Sequence, residues 1–324
     1  MLSTHAQLFV PDYNNAFNKD FAFNKDFIKT NQIRKIIFEI IDKKDYQIAI
    51  DKSLVEYYEF NTQGYLSRFY YTDVAKTYEK QINVPPLFKG KKLVRPAYSS
   101  SVNQYVYDTI GTVFLYGADE NLLVRRYHDG HHFYEARYFS CDSSNHAIKE
   151  CRFRETNVGS NKSEFVLGNQ VLISADSMEW KIYSPQQTKI IYYNNENRPY
   201  KEKIILSKDS LVTEITEHYT AAAWIQQIQK FEYDDNKRLI SATYMSNANS
   251  NFINRYVYEY DVKTGWVLNI KHYKNEELLS EIGYVNDYKA NLLNSIVIRD
   301  FKNQSIRIIK LKYAYFDTIQ TNSR

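Results

Sequence analysis

From Phe231 onward the chain repeats a strand-sized segment at nearly even intervals, and this restricts it to an antiparallel β architecture. Segments rich in β-branched and aromatic residues centre near Phe231, Tyr244, Tyr258, His272, Tyr284, Ile298 and Lys312, with successive gaps of 13, 14, 14, 12, 14 and 14 residues. Polar clusters separate them, among them Asp234-Asp235-Asn236-Lys237, Lys274-Asn275-Glu276-Glu277 and Lys302-Asn303-Gln304-Ser305. Such short links close tight turns but cannot hold a crossover helix, so each segment pairs with the next. Alternation agrees with this. Tyr256, Tyr258 and Tyr260 share one face, and Arg255, Val257, Glu259 and Asp261 share the other. Ile309, Leu311, Tyr313 and Tyr315 likewise alternate with Ile308, Lys310, Lys312 and Ala314. A period of two is what one core-facing and one wet face require.

The same design recurs earlier. Val55 to Phe60 and Tyr65 to Tyr71 flank Asn61-Thr62-Gln63-Gly64; Val113 to Tyr116 and Leu122 to Tyr127 form a second hairpin; Ile190 to Tyr193 and Tyr200 to Leu206 form a third. Asp73 to Ser101 holds most of the prolines and reads as a long connection, and Thr156 to Asn169 as an irregular stretch. Ala221 to Ile228 suits a short helix or the start of a strand. Near the start, Ala-Phe-Asn-Lys-Asp-Phe occurs twice in tandem, Ala16 to Phe21 and Ala22 to Phe27. A six-residue period holds no helical face steady. The duplication therefore reads as a loop or surface-hugging segment, followed by a short helix capped by Asp26.

Composition narrows the function. With 9 Gly and 6 Pro, Asn and Asp must make most of the turns. The 30 Tyr and 18 Phe suit half-buried sheet faces. A net charge of +4 from 42 basic and 38 acidic residues is spread along the chain, which argues against nucleic acid. The one basic cluster, Lys89, Lys91, Lys92 and Arg95, reads as a solvated loop. No apolar run is long enough for a membrane helix. Ala6-Gln7 matches the small-residue-then-Gln end of many bacterial export signals, although the basic start and apolar run of a full signal are absent. The expectation is an exported protein; the alternative is an ordinary frayed terminus.

Tyr233-Asp234-Asp235-Asn236-Lys237-Arg238-Leu239 resembles the Y-D-x-x-G-R-L core of YD repeats, the RHS-like family. Tyr258-Glu259-Tyr260-Asp261 with Gly265 resembles the fuller form, and Phe60-Asn61-Thr62-Gln63-Gly64-Tyr65-Leu66 is a looser echo. Lys237 stands where that family prefers Gly. The resemblance implies stacked β-hairpins in a secreted or cell-surface bacterial protein. It is nearer to small exported proteins with degenerate copies than to the large members, whose repeats wind into a closed shell that this chain is too short to form.

Three groups of residues carry candidate chemistry. Tyr256, Tyr258, Tyr260, Tyr273 and Tyr284 either form the core of the sheet or present an aromatic platform for a glycan or protein ligand. His128, His131 and His132 surround the turn signal Asp129-Gly130 and could converge on a metal with Glu135 or Asp129, though the spacing matches no standard zinc site and equally suits a polar hairpin tip. Cys141 and Cys151 flank a run of turn formers and could form a cross-strand disulfide. No nucleophile elbow, P-loop or dinucleotide fingerprint occurs, and no cofactor is implied.

The expected fold is all-β, consecutive antiparallel hairpins in a long twisted or rolled sheet. An N-terminal extension (1–32) precedes irregular hairpins (33–155), further hairpins (156–220) and a regular YD-like meander (221–324), which together are expected to form one continuous domain. The N-terminal helix or loop is expected to cover an edge, and Arg307, Lys310 and Lys312 to protect the last strand from strand addition. The expected function is a non-enzymatic exported or cell-envelope module that binds a glycan or protein. The alternatives are a metal-dependent hydrolase at the His128 to His132 hairpin and a structural spacer.

Overall fold

The computed structural model describes residues 7–17, 21–89, 92–128, 133–159 and 165–317. After helix α1 (Lys25–Thr30), the chain forms β1 (Ile33–Lys44), β2 (Ile50–Phe60) and β3 (Leu66–Val84), then a small hairpin of β4 (Leu87–Lys89) and β5 (Lys92–Arg95). It continues through β6 (Tyr98–Tyr116), β7 (Leu122–His128), β8 (Phe133–Cys141), β9 (Ala147–Asn157) and β10 (Leu167–Ser184). Then follow β11 (Gln187–Tyr193), β12 (Pro199–Lys208), β13 (Leu211–Tyr219), β14 (Gln226–Tyr233) and β15 (Leu239–Ser246). The last five are β16 (Asn249–Tyr260), β17 (Val267–Lys274), β18 (Glu277–Asp287), β19 (Leu292–Asp300) and β20 (Ser305–Tyr315). A 3-10 turn over Thr220–Ala222 precedes β14, so both readings of that stretch hold in part.

All seven C-terminal segments are strands, and each pairs antiparallel with the next. The expected long twisted or rolled sheet is more than rolled: it is closed. β20 also pairs with β1, from Ile33↔Tyr315 to Lys44↔Ser305, and this closes an 18-stranded ring. Lys310 and Lys312 therefore do not guard an edge; they face Glu39 on β1. Asp73 to Ser101 is not a loose connection either. β3 and β6 stay paired from Arg68↔Val113 out to Val84↔Tyr98. β2 follows β3 only to Tyr71, and β7 follows β6 only to Gly111. The rest is a two-stranded ribbon roughly 40 Å long at ~3.3 Å per residue. The prolines sit at its tip, where no ladder bond is lost.

One turn design builds the hairpins. Asp234 Oδ1 accepts the backbone N–H of Asn236 and of Arg238, both at 2.9 Å, and Lys237 takes a left-handed φ of 63°. Asn61, Asp142 and Asn194 cap their turns in the same way, with Gly64, Asn145 and Asn197 at the left-handed position. This is the physical content of the Y-D-x-x-G pattern: the Asx side chain closes the turn, and the fourth residue must tolerate positive φ. The tyrosine has its own task. Tyr233, Tyr260 and Tyr313 donate to the carbonyls of Val212, Leu239 and Leu293 at 2.9, 2.7 and 2.6 Å, tying each strand end to a neighbouring strand.

The two largest apolar clusters lie on one face of the ring, beneath residues 8–17 and 21–28. Residues 8–10 and 22–24 pair as a short strap (Asn24 N–H to Leu8 O at 2.8 Å), and Asn24 rather than Asp26 caps α1. The strap covers a face, not an edge. Phe21 and Phe23 pack on Phe38, Tyr58 and Phe60, while Phe17 packs on Phe231, Tyr244 and Tyr256. The duplicated hexapeptide thus serves two apolar clusters. One is built on β1, β2, β19 and β20, and the other on β13 to β16.

Candidate functional site

Ladder partners share a face, so the register assigns every strand residue to the strap face or to the opposite face. Tyr256, Tyr258 and Tyr284 lie on the strap face, beneath the N-terminal segment. Tyr260 is tied to Leu239, and Tyr273 stands on the opposite face beside Arg255. The five tyrosines therefore do not form one exposed platform. His128 ends β7 with its ring 5.3 Å from that of Tyr134; His131 and His132 lie outside the described residues. Among the described residues no group of His, Cys, Asp and Glu could hold a metal ion. The disulfide expectation is corrected by register. Cys141 pairs with Ala147 and Cys151 with Tyr138, so they stand three strand positions apart, about 10 Å, and both thiols are free.

Away from the strap, β6 to β10 carry a different arrangement on the same face. One rung runs Phe114↔Arg125↔Arg137↔Arg152↔Ser174, and the next runs Thr112↔Tyr127↔Glu135↔Arg154↔Val171. Three arginines thus stand directly opposite one another on adjacent strands, and a fourth lies diagonally beside them. Like charges in register oppose sheet formation. Only part of this charge is balanced: Arg137 Nη1 reaches Glu150 at 3.1 Å, and Arg152 Nη2 reaches Glu135 at 2.6 Å. Arg125 and Arg154 are exposed and make no ion pair within the described residues; Arg125 lies over the Phe114 ring. Arg152 Nε is buried with no hydrogen-bond partner. The Arg152 hydrogen bond holds the Glu135 carboxyl below the usual carboxylate range.

Behind this patch, on the opposite face, Glu155 is fully buried. It accepts from Arg126 Nε at 2.7 Å, Tyr138 Oη at 2.5 Å and Gln170 Nε2 at 3.1 Å, and Phe165 covers the guanidinium. The strands under the arginines are thus held from the back by a satisfied buried ion pair.

The opposite face also carries charge around the rest of the ring: Lys35 with Glu59, Lys312 with Glu39, Lys271 with Glu259 and Lys189 with Glu202. Neither face therefore has the uninterrupted apolar band of a lipid-facing barrel. No helix is long and apolar enough to cross a membrane among the described residues.

The sequence matches no family model and no curated protein. Several solved structures share a likeness of shape, among them the following three. A porin-like protein from Bacteroides uniformis ATCC 8492 is 9% identical over 87% of this chain and 98% of its own, with a TM-score of 0.37. The Tc holotoxin pore of Photorhabdus luminescens is 9% identical over 83% of this chain and 18% of its own, with a TM-score of 0.24. A DUF1329 family protein from Desulfovibrio piger ATCC 29098 is 8% identical over 90% of each chain, with a TM-score of 0.23. At these scores the likenesses carry no functional argument.

The arginine row was invisible to motif reading because its members lie 12 and 15 positions apart. A signal existed: Arg125 and Arg137 are each six residues from His131, so a hairpin folded there sets them opposite one another.

Proposed function

We propose that this chain is a non-enzymatic binding module for an acidic glycan, acting in an exported or envelope setting. The observation that carries the reading is the in-register row Arg125, Arg137 and Arg152 with Arg154 beside it, in which Arg125 and Arg154 make no ion pair among the described residues. Such a row costs stability unless it is used. Planar guanidinium forks match carboxylate and sulfate groups, whereas a neutral sugar would leave the excess charge in place. Phe114 and Tyr127 flank the row on the same rungs and offer ring faces to a sugar backbone. The export part of the reading rests on Ala6-Gln7. Charged side chains on both faces support an aqueous setting rather than insertion in lipid.

The test is retention on immobilised polygalacturonate and dextran sulfate, with neutral dextran as control. Salt-sensitive retention on the acidic polymers is expected, and Arg125→Glu with Arg154→Glu should abolish it while leaving the circular dichroism spectrum intact. Equal retention on neutral dextran, unchanged retention of the double variant, or tighter binding to a single-stranded oligonucleotide would overturn the proposal.

A further inference from the structure

Between the strap and the sheet lies a cavity of about 110 Å³, open on one side. Its roof is the strap, with Phe9, Phe21 and Ala22, and its floor carries Tyr256, Tyr258 and Tyr284. It sits at the seam of the two core clusters: Ile270 packs on one, Ile282 on the other, and the two are ladder partners on β17 and β18. The strap bridges this seam without filling it. A dry apolar cavity of about 150 Å³ is known to take up benzene, so this one is on the scale of a single small ring.

The polar groups around the cavity are unevenly used. Tyr258 Oη reaches Ala16 O at 3.4 Å. Tyr256 and Tyr284 make no hydrogen bond within the described residues, unlike Tyr233, Tyr260 and Tyr313, which are all tied to carbonyls. The Asn15 amide accepts from Asp12 N–H at 3.0 Å and donates to Val10 O at 3.3 Å, which leaves it one donor and one acceptor site. Five aromatic rings therefore enclose the space, and hydroxyl and amide capacity remains unspent at its wall.

We infer that this cavity binds a single aromatic ring bearing one hydroxyl, a phenol-class group, with the ring among Phe9, Phe21, Ile270 and Ile282 and the oxygen at Tyr256 or Tyr284. The same group could be a free small molecule or the side chain of a tyrosine-bearing peptide. The site is independent of the arginine row.

Calorimetric titration of the full chain with phenol, toluene and a tyrosine-containing tripeptide tests the inference and separates its two sources. Saturable phenol binding is expected, roughly tenfold tighter than toluene, the difference one hydrogen-bonded hydroxyl makes. Peptide binding at comparable strength would point to a protein source, and its absence to a free phenol. Ala22→Leu should fill the space and abolish phenol binding. Tyr256→Phe with Tyr284→Phe, which keeps both rings, should bring phenol down to toluene and serves should the filled variant fail to fold. No saturable phenol binding, phenol no tighter than toluene, or phenol binding that survives both substitutions would overturn it.

Discussion

The strap-covered half of the ring and the arginine half are made from the same hairpins, yet they bury opposite faces. In β1, β2 and β13 to β20 the strap face is apolar and the chain's own N-terminal segment covers it; Ile36, Phe38 and Ile296 have no exposure at all. In β7 to β9 the strap face carries arginines, and burial moves to the other side, where Ala136 and Glu155 are fully enclosed. A closed sheet needs one sealed face for stability, but that face need not be the same all the way round. Where the seal switches, the freed face can carry charge that a core would reject.

The largest effect that would break this comparison is at Glu155. Glu155→Leu should cost about 3–5 kcal/mol in urea unfolding, because it leaves Arg126 buried and unpaired. Adding Arg126→Met should recover most of that loss. A single variant as stable as the parent would mean that the arginine half is not sealed from behind.

Next comes the strap. Phe9→Ala should cost about 3 kcal/mol, the low end for a buried phenylalanine, since the strap can shift to close part of the void. Hydrogen exchange should quicken in β18 and β1 and stay unchanged in β7 to β9. Equal quickening in both halves would show that they are sealed together.

A smaller pair of variants asks what the halves share. Tyr260 ties to Leu239 in the strap half, and Tyr116 ties to Leu66 at 3.0 Å near the arginine half. Tyr260→Phe and Tyr116→Phe should each cost about 1 kcal/mol. Lys237→Gly should add about 0.5–1 kcal/mol by relieving a side chain held at positive φ.

Acid should separate the halves by range rather than size. His272 is stacked on Tyr256, and burial, with Lys274 nearby, pushes its pKa below 6.5. The folded state therefore favours the neutral ring. That contribution is present above the unfolded value and fades as pH falls through 6.5 toward the lower folded value. Glu135 is also depressed, but from 4.5, so its contribution holds above that value and fades only at more acid pH. Protection factors, in which the intrinsic pH dependence of exchange cancels, should fall between pH 7 and pH 5 around His272 and not around Glu135. His272→Gln should remove the change.

Sequence reading found what is local. Asx turns and period-two strands located the seven C-terminal strands to within a few residues, because each element is specified by its own neighbours. It missed ring closure, since nothing near Ile33 announces Tyr315 as a partner. It took Pro85, Pro86 and Pro96 as signs of a loop, although they only cap a ribbon. It left the site tyrosines open between core and exposed platform because alternation ignores what covers a face, and the cover here comes from residues more than 200 positions away. The arginine row needs register, and bulges at most hairpins shift register in ways that composition does not show.

The seam between β1 and β20 also governs how the molecule is made. Until the final eleven-residue strand leaves the ribosome, β1 and β19 each expose a free row of backbone donors and acceptors, the form of surface that neighbouring nascent chains can join. A stop codon anywhere before Ser305 would leave that state permanent, so a truncation that removes β20 would be expected to yield an insoluble product.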